Sequence, residues 1–216
     1  AMFGVRKNGN LMVVKPPNYE FRSTYSFRIA VTDKARESDD VTVTVTIVDV
    51  NEAAALTYGA SRLDEDAPGG TELGTPAVYD PDDDTVLEFE LLSVHAGGVD
   101  QDDALLATFF AVDNATGTIT LTDAGAENLD YERMPNYTLS VVVHDNGIPS
   151  GECVRRCKST TALATVLIND VNEPPYFTTA NFTLSIDENE AAGTSVGSLG
   201  WDDPDRGQMH YFGDSV

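Results

Sequence analysis

The chain has 216 residues, of which 13 are Lys or Arg and 36 are Asp or Glu, giving a formal net charge of −23. Such a balance repels phosphate backbones and excludes nucleic acid as a partner, while 41% hydrophobic residues suffice for one or two domains with proper cores. No apolar run approaches the ~18 residues of a membrane-spanning helix, and Ala1-Met2-Phe3 opens no charged-then-apolar leader, so signals for export or anchoring are expected elsewhere. Taken in chain order, the first element is a hairpin, because Asn8-Gly9 lies between Val5 and Leu11. Residues 25 to 31 and 41 to 47 alternate apolar with polar or small side chains and are rich in Val, Ile, Thr, Tyr and Phe, the period-two pattern of half-buried strands. Residues 98 to 107 predict a single helical turn, Thr116-Gly117 between Val112 and Ile119 a second hairpin, and residues 137 to 143 another strand.

These elements repeat. Tyr25, Phe27, Ile29, Val31 and Asp33 return as Tyr137, Leu139, Val141, Val143 and Asp145 at one constant offset that also relates Glu20 to Glu132. Val45, Ile47 and Asp49-Val50-Asn51-Glu52 return as Val166, Ile168 and Asp170-Val171-Asn172-Glu173 at a longer offset, the extra residues surrounding Cys153 and Cys157. Asp64-Glu65-Asp66 with Asp80-Pro81-Asp82 returns as Asp187-Glu188-Asn189 with Asp203-Pro204-Asp205. A unit of on the order of 110 residues with this pattern is the size of a two-sheet antiparallel sandwich, so the fold class is all-β, tandem sandwiches of immunoglobulin-like, Greek-key architecture. The frame of the repeat divides the chain into a C-terminal part of one unit (1–52), a complete unit (53–173) and an N-terminal part of a third (174–216), a window cut from a longer array.

Most of the recurring acidic residues fall at the boundaries between units. Asp49, Glu52, Glu65, Asp80 and Asp82 surround one junction in sequence, and Asp170, Glu173, Glu188, Asp203 and Asp205 surround the next. In sandwiches stacked end to end these carboxylates meet, and they repel unless cations sit among them. Hard oxygen ligands without His or Cys select Ca²⁺ over Zn²⁺ or Cu²⁺. Asp80-Pro81-Asp82-Asp83-Asp84 is no EF-hand, because Thr85 holds the position of the required Gly and Leu91 that of the required Glu. Solvated turns would explain any one motif, but not four that recur in the same order.

Leu129-Asp130-Tyr131-Glu132-Arg133, Asp145-Asn146-Gly147-Ile148-Pro149, Asp170-Val171-Asn172-Glu173-Pro174-Pro175-Tyr176-Phe177 and Ile186-Asp187-Glu188-Asn189 together resemble the extracellular cadherin repeats of protocadherin-like or giant cadherins. The resemblance implies Ca²⁺ in each inter-repeat linker. At the first junction it implies ligands from Glu20, Asp49, Asn51 and Glu52 and the carbonyls of Val50 and Ala53, met by Asp80, Asp82 and Asp145. Asn18 stands where the family carries an Asp, so this junction is expected to bind fewer ions or to bind them more weakly. At the second junction it implies Glu65, Asp130, Glu132, Asp170, Asn172 and Glu173, with the carbonyls of Val171 and Pro174, meeting Asp203 and Asp205. Asp33 is expected to serve a junction before Ala1. It further implies an extracellular, cell-surface segment of a single-pass membrane protein, in contact with repeats of its own chain and with a homophilic or heterophilic protein partner. The role is adhesion or mechanical tethering; the rival is a secreted filament protein using the repeats as rigid spacers.

Nothing in the chain predicts catalysis or a small-molecule substrate: Gly193-Thr194-Ser195-Val196-Gly197 matches G-x-S-x-G without a placed His or oxyanion partner, and His144 is expected to be a strand-end neighbour of Asp145. Asn114, Asn136 and Asn181 open N-glycosylation triplets. Cys153 and Cys157 are expected to form a local disulfide in an oxidising compartment. Arg155, Arg156 and Lys158 make that loop basic, as if to dock on an acidic surface of a neighbouring repeat or partner.

Overall fold

The computed structural model describes residues 1–82, 86–97, 103–146, 158–205 and 212–213. Both glycine hairpins form where the sequence places them. β1 (Phe3–Val5) and β2 (Leu11–Val13) pair antiparallel with Val5 opposite Leu11, and Gly9 closes the turn at φ +85°, a conformation that costs a glycine little. β3 (Thr24–Thr32) and β4 (Ser38–Thr46) then run antiparallel in unbroken register from Thr24 opposite Thr46 to Thr32 opposite Ser38. Their alternation sends Tyr25, Phe27, Ile29, Val43 and Val45 to one half-buried face, against which Phe3 lays its ring at 5.3 Å from Tyr25 and 5.7 Å from Phe27.

The following stretch builds two facing layers. Its elements are β5 (Ala55–Thr57), β6 (Ser61–Asp64), β7 (Glu72–Gly74), β8 (Ala77–Tyr79), β9 (Leu87–Ala96), α1 (Asp103–Leu106), β10 (Phe110–Val112), β11 (Ile119–Leu121), α2 (Asp123–Ala126), β12 (Asn136–Asp145) and β13 (Ser159–Asn169). One sheet has the order β6-β13-β12-β9 and the other β10-β11-β7, with β5 and β8 paired beside them. All pairings are antiparallel except β6 with β13, which run parallel from Ser61 opposite Val166 to Asp64 opposite Asn169. The β9–β12 register shifts at Ser140/Val141, a bulge that leaves Leu92 without a directly opposed residue. The second hairpin, β10–β11, places Val112 opposite Ile119 around Gly117 at φ +71°.

Between the layers lies the core. β12 contributes Tyr137, Leu139, Val141 and Val143, each at most 1% exposed, and β13 contributes Ala164, Val166 and Ile168. The opposite layer supplies Phe110, Ile119 and Leu121, and the rings of Phe109 and Phe110 meet Tyr137 edge-on at 6.2 and 5.3 Å. Each fully buried side chain of this kind contributes about 1.5–3 kcal/mol. Beyond it, β14 (Tyr176–Phe177) pairs with β15 (Trp201–Asp202), and the described residues between them form no strand.

Candidate metal centres

The linker that leaves β4 carries Asp49, Asn51 and Glu52 past the turn containing Glu20, where Asn18 accepts a hydrogen bond from the Phe21 backbone N–H at 2.6 Å. From beyond the linker, the turn after β8 brings Asp82, whose backbone N–H is held by Asp80 Oδ1 at 2.9 Å. Glu20, Asp49, Glu52 and Asp82 then each place a carboxylate oxygen within 4.8 Å of the others. Across this junction the Glu52 N–H donates to Asp82 Oδ2 at 2.8 Å, and Asn51 Nδ2 donates to Asp145 Oδ1 at 3.1 Å. Asn51 and Asp145 are both 1% exposed, so the strand end of β12 is fastened to the linker out of contact with water.

The linker that leaves β13 repeats the construction. Glu132, Asp170 and Asp205 converge within 4.8 Å, as do Glu65, Glu132 and Glu173. The Glu173 N–H donates to Asp205 Oδ2 at 2.7 Å, the counterpart of the Glu52–Asp82 contact, and Asp205 is itself held by Asp203 Oδ1 at 2.9 Å. Glu65, 7% exposed at the end of β6, accepts the Tyr131 N–H on one carboxylate oxygen at 2.6 Å and the Val171 N–H on the other at 2.7 Å. One side chain thereby ties the strand, the Asp-Tyr-Glu turn and the linker together.

Crowding leaves an electrostatic mark. Loss of solvation, then Glu20, Asp82 and Asp49, hold the Glu52 carboxyl above its ordinary value, with Lys158 opposing. Desolvation, then Asp82 and Asp145, raises Asp80 against the hydrogen bond it accepts from the Asp82 backbone. In the second group Glu132 and Glu173 are raised by desolvation first and then by neighbouring carboxylates, Glu65 foremost. Asp170 is raised by desolvation and by the hydrogen bond and charge of Asp205. Among the described residues, Glu52 Oε2, Asp80 Oδ2 and Glu173 Oε2 are buried without a hydrogen-bond partner. Buried, unpartnered, hard oxygens amid like charge are what a divalent hard cation satisfies, so the donor set fits Ca²⁺.

Not every sequence-predicted residue joins these groups. Asp130 accepts the Arg133 N–H at 2.7 Å, the same turn contact that Asn18 makes with Phe21, and acts on Glu132 and Glu173 through its charge. Asn172 Nδ2 donates to the Glu173 carbonyl at 3.1 Å, and Val50 and Val171 lie in the extended linkers. Asp33 and Glu188 are exposed and belong to none of the three groups. His144 bonds Ser159 Oγ at 2.7 Å and faces Glu90 at 3.8 Å on the outer sheet surface. Asn181 is exposed, Asn114 Nδ2 donates to the Phe89 carbonyl at 3.2 Å, and Asn136 is half-buried at the start of β12. Cys153, Cys157, Arg155 and Arg156 lie outside the described residues. Sequence reasoning listed Glu65 as a ligand and missed its role as a strut, which depends on backbone groups 66 and 106 residues further along the chain.

Residues 60–167 match the family model described as Cadherin domain, half of the chain. Protocadherin Fat 4 of Homo sapiens is 29% identical over 228 residues, covering 98% of this chain and 4% of its own length. Cadherin-9 of Mus musculus is 31% identical over 173 residues, covering 78% of this chain and 21% of its own. The chain spans 4% to 6% of the length of the first such relatives, among them the Protocadherin-like wing polarity protein stan of Drosophila melanogaster. A crystal structure of mouse Cadherin-23 EC22-24 superposes with a TM-score of 0.62 at 23% identity, covering 95% of this chain and 62% of that one.

Proposed function

This chain belongs to the cadherin family, and on that premise we propose that it is a segment of an extracellular array whose two junctions bind Ca²⁺, which stiffens the array for adhesion or mechanical tethering at a cell surface. The observation that carries the reading is the coincidence of the two carboxylate groups. Glu20 and Asp49 with Asp82, and their repeat counterparts Glu132 and Asp170 with Asp205, converge from both sides of separate linkers. Glu52, Asn51, Asp80 and Asp145 would complete the first site; Glu65, Glu173, Asn172 and Asp203 the second, with the carbonyls of Val50, Ala53, Val171 and Pro174 at the linkers. The carbonyl roles and that of Asp130 rest on the family pattern.

The bound ion supplies positive charge that cancels the repulsion among these carboxylates and bonds that span the linker. The chain's own groups prepare the site: Asp82 and Asp205 accept linker backbone N–H groups, and the Asn51 amide bonds Asp145, before any ion arrives. Extracellular modules of this kind bind Ca²⁺ with Kd of about 10⁻⁴ to 10⁻³ M, so occupancy follows the extracellular calcium level. The partner is another extracellular protein, homophilic or heterophilic, and the array is joined to a single-pass membrane protein. The test is a thermal melt in chelator, in millimolar Mg²⁺ and in millimolar Ca²⁺, paired with small-angle scattering. A Ca²⁺-specific rise in Tm with a longer, narrower scattering profile is expected; identical melts in all three refute the reading.

A further inference from the structure

Asp145 sits at the first junction, and the residue that faces it across the end of its sheet is Lys158. The two exchange backbone and side-chain bonds: the Asp145 N–H donates to the Lys158 carbonyl at 3.0 Å, and the Lys158 N–H donates to Asp145 Oδ1 at 3.0 Å. The preceding unit makes the same pair of contacts between Asp33 and Glu37, at 3.0 Å to the Glu37 carbonyl and 2.9 Å from its N–H to Asp33 Oδ1. Residues 37 and 158 are therefore one structural position, the residue immediately before β4 and β13, followed in both units by a Ser. It carries a negative charge in one unit and a positive charge in the other. Lys158 is exposed, which leaves its ammonium free to move toward the junction.

We infer that the residue at this position sets the calcium affinity of its junction by its charge, and that Lys158 makes the first junction a deliberately weaker Ca²⁺ site that is less frayed without the ion. The inference rests on the junctions binding Ca²⁺. A cation within reach of the carboxylates offsets part of their repulsion in the metal-free protein and repels the divalent ion on arrival. Both effects are screened by salt because the side chain is exposed.

Isothermal titration with Ca²⁺ in an Asp205→Asn background, which weakens the second junction, isolates the first. Lys158→Gln should bind Ca²⁺ about threefold to tenfold more tightly there, with the difference shrinking in 0.5 M salt. Lys158→Glu, which restores the charge of Glu37, should bind more tightly again, while Lys158→Arg should match the parent. In chelator the order reverses, with Lys158→Gln melting lower than the parent. Parent binding with Lys158→Gln and Lys158→Glu both within twofold overturns the inference and leaves the calcium reading intact. An absence of Ca²⁺ binding in the parent chain overturns both.

Discussion

Replacing Glu65 by Ala tests whether this side chain is a strut as well as a ligand. In the metal-free protein the substitution removes two hydrogen bonds from a carboxylate to backbone N–H groups, those of Tyr131 and Val171. Bonds to a charged acceptor contribute about 1.5–3 kcal/mol each, so the loss is about 3–6 kcal/mol. Against this, removal of the Glu65 charge relieves Asp170, Glu132 and Glu173, each of which it raises, and so offsets part of the loss. The net destabilisation is about 2–4 kcal/mol, and for a unit of this size it lowers Tm by about 8–16 °C. Calorimetry in chelator measures it directly, and Glu65→Gln, which keeps one acceptor oxygen, should fall between the two. A metal-free Glu65→Ala protein melting within about 2 °C of the parent would refute the strut. In saturating Ca²⁺ the gap should widen, because the parent alone gains the full binding energy of the second junction.

The raised carboxyls fix a pH dependence. Glu52, Asp80, Glu132, Asp170 and Glu173 sit above ordinary values of 4.5 for Glu and 3.8 for Asp, so the folded metal-free chain holds protons that the unfolded chain releases. Their penalty is fully present above the raised values and fades as pH falls toward the ordinary ones, so acidification from neutrality to about pH 5 should raise the Tm in chelator and lower it in Ca²⁺; a Tm in chelator that falls over this range refutes the assignment. Gly117→Ala places a methyl 2.7 Å from Phe89 Cδ1 and 2.8 Å from Pro76 Cγ at φ +71°, which should cost about 2–4 kcal/mol in urea denaturation. Tyr137 buries a hydroxyl that has no hydrogen-bond partner among the described residues, and its pKa is pushed up to about 12 by that burial. Tyr137→Phe should leave stability within about 0.5 kcal/mol of the parent or raise it, and a loss above about 1 kcal/mol would reveal a missing partner.

The strands were legible because alternation is a local property. Residues 25 to 31 and 137 to 143 lie inside β3 and β12, and Asn8-Gly9 and Thr116-Gly117 close hairpins between the residues expected to flank them. The acidic motifs were legible through repetition. What the sequence did not disclose depends on contacts between segments far apart in the chain. The Asn51 amide on Asp145 joins a linker to a strand end 94 residues on, and the parallel pairing of β6 with β13 joins the two ends of one unit. Asp130 shows the converse limit. Family pattern and charge nominate it as a ligand; what neither discloses is that its Oδ1 also accepts the Arg133 N–H in a turn contact that Asn18 makes with Phe21.

The parallel pairing of β6 with β13 has a mechanical consequence. The chain enters the unit near β6 and leaves through β13, and the two strands point the same way, so tension on the ends slides them past each other. Loaded in that direction, the ladder from Ser61–Val166 to Asp64–Asn169 resists as a set, with no single bond positioned to open first. The Asn169 amide on Asp64 Oδ1 at 2.8 Å and the Glu65 carboxylate on the Val171 N–H extend the same line of resistance beyond the last ladder pair. Rupture therefore demands simultaneous failure of many weak bonds, whereas an antiparallel edge pulled from one end unzips bond by bond.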